Sequence, residues 1–311
     1  MPRARRDWAI HNSMSTLICL GLGYSAQHYV AGFGARFTRI VGTSRTAERA
    51  AELAARAFGG RKVEMLTFDG AAASPSVIEA VRVSDTLLVS AAPDEQGDPA
   101  LRALGDALAA APRLRGVVLL STVGVYGDRA GGWVDETTAL DPTHERARPR
   151  IVAEQDWQAL GRQRGTPVAA LRLSGIYGPG QNALINVRLG RARNIDKPGQ
   201  VFNRIHVADI AQAIDAAFAL GAEGVFNVTD DEPSPPGDPI VLAAGLLGLA
   251  PPPAIPYAEA VKTMSPLAAS FYAENRRVRN DKLKTVLGVR LRYPSYREGL
   301  RALHARGEGQ P

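Results

Sequence analysis

The chain has 311 residues, 45% of them hydrophobic and 22% charged, a balance that suits one large globular domain or one domain with a lobe. Its net charge of +6 comes from scattered arginines, with no basic helix and no interleaved aromatics, so no nucleic-acid partner is expected. A single cysteine excludes an internal disulfide, the five histidines lack metal-ligand spacing, and no apolar run approaches the roughly 20 residues that span a bilayer, so neither a metal nor a membrane is expected.

The basic start Pro2-Arg3-Ala4-Arg5-Arg6 has no signal-peptide core behind it. Residues 1–14 read as a disordered extension, Met14 as an alternative start, and the protein as cytoplasmic. Leu17 to Leu20 is a short apolar strand that runs into Gly21-Leu22-Gly23-Tyr24-Ser25-Ala26, a G-x-G-x-x-A turn opening a helix from Ser25 to about Ala35. Gly21 permits a tight exit from the strand, Gly23 lets a pyrophosphate approach the backbone, and Ala26 lets the helix pack closely. The amides of the first turn, around Tyr24 and Ser25, would face the phosphates.

Phe37 to Gly42 reads as the second strand, ending at Thr43-Ser44-Arg45 before a helix from about Ala47 to Ala57. No Asp or Glu lies between Gly23 and Arg45. The carboxylate that selects NAD through the ribose hydroxyls is therefore missing, whereas two hydroxyls and a guanidinium suit the extra phosphate of NADP. NADP is expected over NAD, the alternative being that Arg45 is a plain surface residue. Val63 to Asp69 is a third strand, with Asp69 either meeting the adenine or capping its turn. A short helix at Pro75 to Val81 leads to the apolar strand Thr86 to Ser90, and Ala91-Ala92-Pro93 beyond it leaves room for the nicotinamide ribose. A helix from Pro99 to Ala111 and a strand from Gly116 to Ser121 continue the alternation. This series implies an α/β fold with a doubly wound parallel sheet.

Ser121-Thr122-Val123-Gly124-Val125-Tyr126-Gly127 resembles the strand-end motif of the extended short-chain dehydrogenase/reductase family, the NAD(P)-dependent epimerase/dehydratase group. Four later pieces fit in order: Leu171 to Gly180, Arg204-Ile205-His206-Val207-Ala208-Asp209-Ile210, Gly224 to Val228, and Leu283 to Leu303. The resemblance implies a Rossmann domain over residues 15–175 and a smaller C-terminal substrate lobe over 176–311, with 205–230 returning to the first domain. It also implies a substrate cleft between the two, and a homodimer by family habit.

The chain departs from that family at the catalytic pair. Active members carry a Tyr and, four residues later, a Lys on one helical face. Aligning on Ala153-Glu154 places Arg146 and Arg150 at those positions, and none of the eight tyrosines is followed by Lys at the fourth place. Thr122 supplies the expected hydroxyl, while Val123 and Gly124 replace the acidic pair of sugar dehydratases. The combination resembles the atypical subgroup, which keeps the fold and cofactor site. Arg146 and Arg150 read either as a clamp for an anionic substrate or, for Arg150, as an i, i+4 partner of Glu154. Tyr126 and Tyr177 are possible substitute acids, with packing as their alternative role. Arg204 and His206 could face the cleft, and Asp209 is a structural partner. The Asn227-Val228-Thr229 sequon reads as chance.

The resulting expectation is an NADP-binding oxidoreductase-like protein with a small anionic substrate. Its rivals are a non-catalytic NAD(P)-binding sensor or partner-binding protein and, third, a nucleotide-sugar epimerase.

Overall fold

Seven short runs pair side by side at the centre of the molecule: β1 Thr16–Leu20, β2 Arg39–Ser44, β3 Glu64–Thr67, β4 Thr86–Val89, β5 Gly116–Thr122, β6 Val168–Leu173 and β7 Gly224–Val228. They form one sheet in the order β7-β6-β5-β4-β1-β2-β3, and every pairing is parallel. These are the features of a computed structural model that describes residues 15–143 and 145–310, the side chain of Arg146 excepted. The N-terminal extension expected at 1–14 lies outside the described residues.

Alternate residues of β1 feed two cores, as the two-residue period of a strand requires. Leu17 and Cys19 join the core beneath the helices Tyr24–Phe33 and Val207–Leu220. Ile18 and Leu20 join the opposite core, beneath Pro75–Arg82, Pro99–Ala109 and Arg148–Arg164. The sheet is thus covered on both faces, which is why β1 and β4 are buried throughout and mostly apolar. Strand order reverses between β1 and β4, where Cys19 lies opposite Gly42 on one side and Leu88 on the other. In sheets of this kind the crevice beyond the C-terminal ends at the reversal receives ligands.

Boundaries moved where turns intervened. The first helix ends in a 3-10 turn, Gly34–Arg36, and Phe37 N donates to Gly34 O. Phe37 therefore packs its ring toward Tyr29 before the chain enters β2, two residues later than its hydrophobicity suggested. Beyond β6, the helices Ala183–Arg188, Asp238–Leu246 and Tyr296–His304 share a small core of Leu184, Ala243, Ala244, Leu300 and Leu303. The last of these helices opens with a capping box between Ser295 and Glu298. Leu283, Leu287 and Val289 return to the main core beside the sheet.

Candidate functional site

The turn after β1 is glycine by necessity. Gly21 has φ +87°, and a Cβ there would stand 3.0 Å from Ala91 N. Gly21 N donates to Thr43 Oγ1 and Leu22 N to Thr43 O, both at 2.8 Å. Thr43, expected to touch a cofactor, is buried, and its hydroxyl is engaged in bracing the turn from below. Gly23 is exposed and extended. A Cβ on it would meet only Ser90 Oγ, at 3.7 Å, so the space above is open to a bulky group. The helix that follows has neither a side-chain cap nor an acidic residue in its first turn, leaving its amides for an anion. Ser25 and Ala26 are buried, so they offer backbone rather than side chain.

On one side of this turn Ser44 is half-buried and Arg45 is exposed, while Thr46 caps the helix Ala47–Ala55. Asp69 spends an oxygen on Ala71 N at 2.9 Å, the turn-capping role. On the other side, Ser90 N and Ala91 N both donate to Leu20 O. Ala92 is exposed there, with Ala91 and Pro93 half-buried. The residues present fit a dinucleotide: a turn with two glycines and its one side chain, Leu22, buried in the core, free helix amides and a cation at the β2 end.

The end of β5 is built differently. Thr122 is half-buried and its hydroxyl accepts from Gly124 N at 3.1 Å, capping the 3-10 turn Val123–Tyr126. Tyr126 is wholly buried; its hydroxyl donates to Asn227 Oδ1 at 2.7 Å and accepts from Arg172 at 2.9 Å. Burial raises its pKa, against the opposing pull of Arg172. Arg172 also forks onto Glu154, at 2.7 Å for its closest oxygen, and Ser121 Oγ donates to Glu154 at 2.5 Å. Ser121, Glu154 and Arg172 are all buried. A connected polar network thus joins β5, β6, β7 and the Arg148–Arg164 helix, and the packing role is the one Tyr126 occupies. Asn227 is fully buried, which closes the sequon to modification.

Of the two readings of Arg150, the pair with Glu154 is not formed. Glu154 turns inward to Arg172, and Arg150 instead donates to Leu120 O at 3.1 Å, two residues before Thr122. Burial pulls the Arg150 pKa down while Asp98 and Glu154 oppose the shift, and arginine stays charged regardless. Asp98 is held in turn: one oxygen caps Ala100 N at 2.8 Å, the other accepts from Trp157 Nε1 at 3.0 Å. The side chain of Arg146 falls outside the described residues.

The lobe residues lie further in than expected. Tyr177 is buried and donates to Ser295 O at 3.2 Å, and burial together with nearby acids pushes its phenol well up. Arg204 donates to Ser234 Oγ at 2.7 Å and to Phe202 O at 3.1 Å rather than into a cleft. His206 is buried too, and its Nδ1 accepts from Ala208 N, so it caps the Val207–Leu220 helix. Burial lowers its pKa to about 4, keeping the ring neutral. Asp209 accepts from Arg292 N, Tyr293 N and Gln212, the structural partner it was read to be. Asp230 was not foreseen at all. It is buried with Oδ2 lacking a hydrogen-bond partner among the described residues, and burial raises its pKa to about 8. No group of three or more His, Cys, Asp or Glu could hold a metal, and no helix is long and apolar enough to cross a membrane, among the described residues.

Residues 96–229 match the family model of the NAD dependent epimerase/dehydratase family. A solved structure from Silicibacter pomeroyi, described as a functionally unknown conserved protein, is 47% identical with a TM-score of 0.81, covering 95% of this chain and all of that one. A Streptomyces protein named 3-diazoavenalumate denitrifying reductase is 31% identical over 157 residues; the match spans about half of each chain, 49%. A dTDP-glucose 4,6-dehydratase from Bacillus anthracis, solved in complex with NAD, is 17% identical with a TM-score of 0.72 over 96% of this chain and 99% of its own, a likeness of fold.

Proposed function

The chain belongs to the NAD dependent epimerase/dehydratase family, a family that binds NAD(P), and from that premise we propose that it is an NADP-dependent oxidoreductase acting on a small anionic molecule. The observation that carries this reading is the open edge at the strand reversal, where Gly23, Arg45 and Ala92 stand exposed with half-buried Ser44 among them. NADPH bound there supplies a hydride. The amides after Gly23 would hold the pyrophosphate, and Ser44 and Arg45 would hold the 2′-phosphate, Arg45 through charge-assisted bonds. Ala91, Ala92 and Pro93 leave space for the nicotinamide ribose. Thr122, half-buried at the end of β5, would offer its hydroxyl at the reacting end. Arg150, anchored on Leu120 O, would orient the anionic group of the substrate and keep its proton throughout. The relative named a reductase, matched over about half of each chain, supports reduction as the reaction class.

Tyr126 and Tyr177, whose hydroxyls are both engaged inside the protein, favour one rival, a non-catalytic NAD(P)-binding sensor. Calorimetric titration with NADPH and then NADH tests the first step. NADPH is expected to bind more tightly, and Arg45→Ala to weaken NADPH about tenfold or more, about 1.4 kcal/mol, with little change for NADH. Equal loss for both would remove the phosphate role of Arg45, and no binding of either would remove the oxidoreductase reading. Binding without NADPH oxidation across a panel of small carboxylates and phosphates would select the sensor.

A further inference from the structure

The chain ends by folding back on the mouth of the site. After the last helix, Glu308 N donates to Leu303 O, and Gly309, at φ +73°, lies so near Leu184 that a Cβ would stand 3.0 Å from its Cβ. This seats the Glu308 carboxylate on the loop 178–182, where it accepts from Gly180 N at 3.2 Å and from Asn182 Nδ2 at 2.9 Å. Asn182 Nδ2 also donates to Gly178 O at 2.9 Å, and Gly178 and Gln181 exchange two backbone bonds. The loop is therefore a stiff unit, gripped from one side by the tail.

Its other side touches the candidate dinucleotide site. Tyr24 Oη donates to Pro179 O at 2.9 Å, and Tyr24 is the residue directly after Gly23. A Cβ on Gly178 would come within 2.8 Å of that hydroxyl, so the contact depends on glycine. Burial, and then the nearby Glu308 charge, push the Tyr24 phenol up to about 12. The phenol thus remains a donor at neutral pH.

We propose that Glu308 is the pin of a strap that holds the 178–182 loop down on the glycine turn, and that a dinucleotide enters and leaves as the strap lifts. This rests on the dinucleotide reading above. The loop cannot withdraw from the turn without breaking the Tyr24–Pro179 bond, and the Glu308 bonds, made by a charged acceptor, oppose that withdrawal. Tail and tyrosine hold the same loop, and both sets of bonds break as it lifts, so their losses add in barrier height and multiply in rate.

The test is the release of NADPH from the loaded protein, followed by stopped-flow fluorescence on chasing with excess NADP⁺. Glu308→Gln and Tyr24→Phe are each expected to speed release about tenfold, and the double variant about a hundredfold. Hydrogen exchange without cofactor is the second reading. In Glu308→Gln the Gly180 amide should exchange faster while the Cys19 amide, in the core, does not change. Unaltered release with binding intact, or a double variant no faster than the faster single, would overturn the strap and leave the dinucleotide reading standing. Failure of the unsubstituted protein to bind NADPH would overturn both.

Discussion

The two halves of the sheet's C-terminal edge contrast in how they treat polar groups. Around β1 and β2 the chain leaves them open: Gly23 and Arg45 are exposed and the first helix is uncapped by any side chain. Around β5 and β6 it ties them down, with Ser121, Glu154, Arg172, Tyr126 and Asn227 linked in the interior. The difference teaches that one half leaves its backbone and charge open at the surface, as the proposed dinucleotide site needs, while the other is an internally satisfied wall beside it. Buried polar groups that are fully satisfied favour a single arrangement, and the same groups are costly when one partner is lost.

The largest way to break the contrast is to open the wall. Arg172→Met leaves the Glu154 carboxylate buried without its cation, and stability to denaturant should fall by about 3–5 kcal/mol. Adding Glu154→Leu should restore most of that loss. If the single variant melts like the unsubstituted protein, the network is not the rigid element described. Closing the open half comes next. Gly21→Val places a branched side chain at φ +87° and against Ala91 N, so NADPH binding should vanish by calorimetry, with a stability loss of about 1–3 kcal/mol. Persistent binding would show that the turn adapts. The smallest change sharpens the line between wall and site. Tyr126→Phe should cost about 1–2 kcal/mol of stability yet leave NADPH affinity unaltered; a fall in affinity would place Tyr126 in the site after all.

The open half was legible in the sequence because its signals are local. Gly21 and Gly23 sit two apart at the end of an apolar run, and β1, β4 and β5 are continuous apolar stretches. The wall was not, because its partners come from distant positions: Glu154 meets Arg172 across 18 residues and Tyr126 meets Asn227 across 101. Local spacing even misled. Glu154 lies four after Arg150, the expected helical neighbour, but it shares the buried face with Ala153 and Trp157 and so reaches inward. Arg204 and His206 are residues that could face the cleft by sequence alone; the partner of Arg204, Ser234, lies 30 residues on, and His206 caps the helix that follows it. Asp98 was the exception that could have been read, since an Asp directly before a Pro at a helix start is a capping signal.

Cys19, the sole cysteine, is wholly buried in the central strand, and burial pushes its thiol up to about 12. A thiol so placed presents no thiolate to a modifying reagent while the sheet is closed. The rate at which the native chain takes up such a reagent is therefore a clock for the opening of its centre. A cysteine introduced anywhere on the surface would be the one site a probe can find.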